Sequence, residues 1–70
     1  MKTLITQIDC AKCEYVKQFI TDKSEVSILD AKSPMGMAEI AYHKLMGKAA
    51  PILIVDNEVV EGALNIKKHL

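Results

Sequence analysis

Asp9-Cys10-Ala11-Lys12-Cys13 contains both cysteines of the chain and sits where an apolar strand pattern gives way to an amphipathic helix pattern. Two thiols at this spacing can exchange disulfides, hold a soft metal ion, or lie inert as small buried hydrophobes. Spacing alone does not choose among the three. A cysteine at a helix start faces free backbone N–H groups and the positive end of the helix dipole, both of which stabilise a thiolate. Cys10 is therefore expected to be the more acidic sulfur. Cys13, one turn further on, shares its helix face and is near enough to attack a mixed disulfide formed at Cys10. As a structural staple the pair would do little, since closing a four-residue ring contributes only about 1.9 kcal/mol in the chain-entropy treatment, against roughly 3 kcal/mol for a 15-residue loop.

The remaining composition narrows the function classes. Seventy residues suit one domain, close to the size at which a single core only just offsets chain entropy, so residues 1–70 are expected to form one unit. The basic residues are nine lysines, matched by nine Asp plus Glu for a formal net charge of zero. No field recruits nucleic acid or an anionic membrane surface, and no apolar run approaches the roughly 18 residues of a membrane span. Partners are expected to be proteins or small thiols. Met1 is read as the initiator. The start, Met1-Lys2-Thr3-Leu4-Ile5, lacks the long apolar region and cleavage site of a secretory signal, so a cytoplasmic location is expected, where disulfides are usually transient and catalytic. Hydrophobic residues make up 50% of the chain, which suits a sheet covered on both faces.

Working outward from the cysteines, residues 2–8 read as a strand with Leu4 and Ile8 on one face and Ile5 on the other. Residues 10–21 follow as a helix with Val16, Phe19 and Ile20 inward; Tyr15 could take either side. Residues 25–29 form a second strand, Val26 and Ile28 pointing one way, parallel to the first through a crossover. Ser33-Pro34 is a strong helix start, Ser33 as cap and Pro34 at the first helical position. Met37, Ile40, Ala41 and Leu45 form that helix's apolar stripe, and Gly47 is placed to end it. Residues 52–55, Ile-Leu-Ile-Val, are the most apolar strand and expected to be central. Pro51 stands at its start, where a missing N–H does no harm. Asp56-Asn57 suits a tight turn into a hairpin partner at residues 58–60. Gly62 breaks that strand, and residues 63–70 form a last helix with Leu64 inward together with Ile66 or the Lys67 stem. The order is β-α-β-α-β-β-α.

A Cys-x-x-Cys directly after the first strand of a βαβ unit, then a helix, a proline opening a hairpin and a final helix, resembles the thioredoxin fold. The small size is most similar to the glutaredoxins and glutaredoxin-like redoxins, and the likeness spans essentially the whole chain. It implies an α/β domain with a four-stranded mixed sheet flanked by helices on both faces. It implies a thiol–disulfide oxidoreductase with Cys10 as nucleophile and Cys13 as resolver, and no bound cofactor. It implies a cis Ala50-Pro51 bond facing Cys10, with Ala50, Pro51 and Gly62 contacting substrate. Lys12 and Asp9 would tune the thiolate in opposite senses. The sequence departs from the family pattern at Ala11-Lys12, where glutaredoxins usually carry Pro-Tyr, at Ala50, usually Val, and at Asn65, near a common glutathione-binding Asp. The reductant is accordingly either a glutathione-type thiol or a thioredoxin reductase-type flavoprotein, and the substrate a disulfide-bearing protein or small thiol compound. A monomer is expected.

The rival reading is a small metallochaperone holding Cu(I) or Zn(II) through the cysteine pair. Copper chaperones of this size run βαββαβ, ending on a strand, and usually carry Met-Thr before the first cysteine, where this chain has Ile8-Asp9. His43 and His69 stand at no zinc-finger spacing to the cysteines, so no protein-held metal is expected. His43 reads as a solvated helix residue and His69 as a partner of a helix C-terminus. Met35, Met37 and Met46 read as gap-fillers of a small core.

Overall fold

Leu4 and Ile5 are consecutive and both have no exposed surface, which in a strand means that both faces of the sheet are covered. The computed structural model describes residues 2–70; Met1 lies outside the described residues. The elements are β1 (Lys2–Thr6), α1 (Ala11–Lys17), β2 (Val26–Asp30), α2 (Pro34–Tyr42), β3 (Ile52–Val55), β4 (Glu58–Glu61) and α3 (Ala63–His69), the expected order. They build a four-stranded mixed sheet in the order β2-β1-β3-β4. β1 runs parallel to β2 and antiparallel to β3, and β3 antiparallel to β4. The most apolar strand, β3, is thus central, beside β1, whose Leu4 and Ile5 are fully buried. No helix among the described residues is long and apolar enough to cross a membrane.

Alternation along β1 and β3 splits the core in two. Leu4 and Leu53 point to one face, where Val16 of α1 and Ile66 of α3 pack on them. Ile5, Ile52 and Ile54 point to the other and meet Leu45, with Ile40 of α2 alongside. Tyr15 of α1 and Phe19 just after it meet edge-on at 5.2 Å between ring centroids, and Lys67 of α3 reaches this pair, its ammonium 4.8 Å from the Phe19 ring centroid. Tyr15 is therefore at the rim of the packing rather than inside it.

The turns follow local chemistry. Asp56 and Asn57 both have positive φ, 48° and 71°, as a two-residue hairpin loop between strands of right-handed twist requires. The Ser33 hydroxyl accepts the Gly36 N–H at 3.0 Å and donates to the Asp30 carbonyl at 2.7 Å, so one side chain both caps α2 and ties it to the end of β2. Gly36 is required there because a Cβ would overlap the Asp30 carbonyl oxygen. Asp22 accepts from the Ser24 hydroxyl and backbone N–H, bonds that hold its carboxyl below the usual range.

Several elements are shorter than their patterns, each for a visible reason. β1 stops at Thr6 because the chain turns through a left-handed Asp9, φ 57°; Ile8 is thrown outward and is 78% exposed. α1 ends at Lys17, after which Phe19 and Ile20 donate to the carbonyls three residues back, the tighter 3₁₀ pattern. α2 ends at Tyr42 rather than at Gly47. Lys44 takes φ 58°, its N–H donates to Ala41, and the Leu45 N–H donates to Ile40, a Schellman closure that swings Leu45 into the core.

Other faces also differ from expectation. Met37 and Ala41 are exposed rather than buried under α2, and Met35 and Met46 are likewise on the surface, because α2 covers only the Ile40 and Leu45 side of its face. None of the three methionines fills the core. Leu64 is also exposed, Ile66 alone of its helix being fully buried. Ile28, on an edge strand, is partly exposed. His43 is not solvated: its ring is only 8% exposed, 3.3 Å from the Glu39 carboxylate and edge-on to Tyr42. His69 closes α3, its Nδ1 lying 2.8 Å from the Asn65 carbonyl oxygen.

Candidate functional site

Residues 7–10 carry the chain from the C-terminal end of β1 to the start of α1. Cys10 is the N-cap, in extended conformation (φ −112°, ψ 106°), and its carbonyl accepts the Glu14 N–H at 3.1 Å. Its sulfur accepts the Cys13 backbone N–H at 3.2 Å. A sulfur takes the place that a serine or aspartate oxygen usually holds at a helix start, and the free N–H groups there favour negative charge on it. The two cysteines are joined as a disulfide, with Cα atoms 5.2 Å apart. Cys13 is fully buried while Cys10 is half-buried, so an approaching molecule meets the Cys10 sulfur first.

The opposite wall comes from the segment before β3. The Ala50–Pro51 peptide bond is cis, Pro51 is buried, and the Ala50 carbonyl oxygen lies 3.9 Å from the Cys10 sulfur. Strand pairing explains this meeting. Ile5 is opposite Ile52, so one step beyond that pair the chain leaving β1 toward Cys10 runs beside the chain arriving through Ala50 and Pro51. Ile52 is also opposite Glu61, which puts Gly62 at the same end of the sheet. Gly62 caps α3 with φ 88°, a conformation that suits glycine.

Lys12 and Asp9 are both exposed, so each can act on the cysteine sulfur only through solvent. Among the described residues no group of three His, Cys, Asp or Glu side chains is placed to share a metal ion. What this chain offers a metal is the two sulfurs themselves.

Ala50 also borders a feature that the pattern of residues did not announce. A groove of about 580 Å³ opens between α2 and the sheet. Its lining includes Met37 and Ala41, which helical periodicity assigned to the core; no signal in the sequence separates a buried stripe from the wall of an open groove.

No protein-family model matches the chain, and no curated protein does. Among solved structures it is similar to a crystal structure of a mutant of the thioredoxin-like protein BC3987, with 25% sequence identity and a TM-score of 0.65, over 89% of this chain and 85% of that one. Sheet order, helix placement and this likeness together define a thioredoxin-like α/β fold. The chain thus has a thioredoxin-like fold with a Cys10–Cys13 disulfide just after its first strand, an arrangement consistent with a thiol–disulfide redox role.

Proposed function

We propose that the protein is a glutaredoxin-like dithiol–disulfide oxidoreductase that reduces protein or small-molecule disulfides in the cytoplasm, working as a monomer without a bound cofactor. The observation that supports this reading is the unequal burial of two cysteines joined at a helix start, with the Ala50 backbone carbonyl beside the more accessible one. In the reduced protein, the Cys10 thiolate attacks one sulfur of a substrate disulfide. A Cys10–substrate disulfide forms and the other substrate sulfur leaves as a thiolate, taking a proton from water. Cys13 loses its proton and attacks the Cys10 sulfur, which closes the Cys10–Cys13 bond and releases the second substrate thiolate. Two electrons have passed to the substrate. They are restored by two equivalents of a glutathione-type thiol or by the dithiol of a thioredoxin reductase-type flavoprotein. Substrate backbone pairs with Ala50, with Pro51 and Gly62 shaping the rest of the edge.

Single-cysteine variants test the division of labour. Cys13→Ser is expected to accumulate a mixed disulfide at Cys10 after a glutathione disulfide challenge, whereas Cys10→Ser, left with the buried sulfur, is expected to form little adduct; mass spectrometry reads both. Equal adducts on the two variants would overturn the roles. Stoichiometric Cu(I) uptake with no disulfide turnover by the parent would mark a metallochaperone instead.

A further inference from the structure

The groove beside Ala50 has a composition that selects among substrates of the proposed reaction. Its long walls are apolar: Met37, Ile40 and Ala41 on the α2 side, Leu45 and Met46 at the end, Ile52 beneath. Met37 and Met46 are 59% and 77% exposed, so these flexible, polarizable side chains are left largely open to solvent by the described residues. The charged residues of the lining are Lys32 and Lys48, and no carboxylate lines it; Lys48 also lies 3.8 Å from Glu61 in a half-exposed pair. Ala50 is part of the lining, and its carbonyl oxygen lies 3.9 Å from the Cys10 sulfur.

We infer that this groove receives a large apolar side chain next to the disulfide cysteine of an extended, acidic polypeptide, and so makes a polypeptide the preferred substrate class. The inference rests on the redox reading above. A chain bonded through its cysteine to Cys10 and running along Ala50 carries neighbouring side chains directly past the groove mouth. Burying one leucine there takes a whole apolar side chain out of water, worth at least about a tenfold preference, and acidic residues beside it meet Lys32 and Lys48. Glutathione has carboxylates but no apolar side chain, so it leaves the groove unfilled and gains only the charge part.

The test compares two disulfide-linked peptides, identical and flanked by aspartates, except that either leucine or serine adjoins the cysteine. Reduction by the dithiol form of the full chain is followed in single turnover. The leucine peptide is expected to react at least about tenfold faster, the factor that 1.4 kcal/mol corresponds to, and replacing its aspartates by lysines is expected to slow it. Ala41→Phe, a substitution at an exposed helix position that fills the groove, is expected to bring the leucine-to-serine ratio to within about twofold of one; Met46→Ser, which removes part of the mouth, is expected to lower it as well. A ratio near one in the parent, or a ratio that survives both substitutions, overturns the groove assignment and leaves the redox reading standing. If neither peptide nor glutathione disulfide is reduced, the redox reading fails and the groove assignment falls with it.

Discussion

Asp9 and Lys12 flank the cysteine that the proposed chemistry begins with, and their placement limits what each can do. Asp9 adopts φ 57°, which asparagine tolerates as well, so Asp9→Asn removes a charge without disturbing the turn. With a negative charge gone, the Cys10 thiolate is better stabilised. Asp9→Asn is therefore expected to lower the Cys10 pKa in the reduced protein and make the couple more oxidising; Lys12→Ala is expected to do the reverse. Because both side chains are exposed, each effect should be small, and high salt should remove it. Thiolate absorbance against pH measures both variants, and a parent thiol titrating near the free value of about 8.5 would defeat the argument for helix-start activation.

The β2–α2 junction and the end of α2 make opposite demands on the backbone. At Gly36 the helix is pressed against the Asp30 carbonyl, so Gly36→Ala should cost about 1–3 kcal/mol through overpacking, although alanine is otherwise about 0.8–1.0 kcal/mol better than glycine in a helix. At Lys44, φ 58° costs a side-chain-bearing residue roughly 1–2 kcal/mol. Lys44→Gly relieves that and loses about 0.5–1 kcal/mol to glycine entropy, for a net gain of up to about 1.5 kcal/mol. Urea midpoints decide both, and the opposite signs are the check. Lys44→Gly that destabilises would mean the Schellman closure is not what ends α2.

Two thin half-cores on either side of one sheet hold the whole chain together, so each buried side chain carries a large share of stability. A chain of 70 residues is worth about 4–10 kcal/mol at the usual stability per residue. Ile66 is the one fully buried residue of α3 and packs on Leu4, Val16 and Leu53, so Ile66→Ala should cost about 2–5 kcal/mol, a fifth or more of the total. Because α3 packs on α1, the loss should also loosen the helix that presents the disulfide. Amide hydrogen exchange of α1 in this variant tests the coupling; protection unchanged from the parent would show that α1 does not depend on α3.

Element order, the central place of residues 52–55, the Ser33 cap, the Asp56-Asn57 turn, the break at Gly62 and the placement of Cys10 at a helix start were all legible in the chain, because each rests on the composition of, or interactions within, a few residues. Val16 could be assigned inward by periodicity, since the face it lies on is in fact covered. The same rule misplaced Met37, Ala41 and Leu64: a repeat of apolar positions marks a face but carries no information on how far the neighbouring element reaches across it. α2 covers only the part of its sheet face around Ile40 and Leu45, and that shortfall leaves the groove open beside Ala50. His43 was equally beyond reach, its burial coming from Glu39 and Tyr42 around the end of a helix whose last turn is set by Leu45 entering the core. The approach of the Ala50 carbonyl to the Cys10 sulfur joins positions forty residues apart, and it arises from the pairing of β1 with β3, a contact between segments that local patterning cannot bring into register.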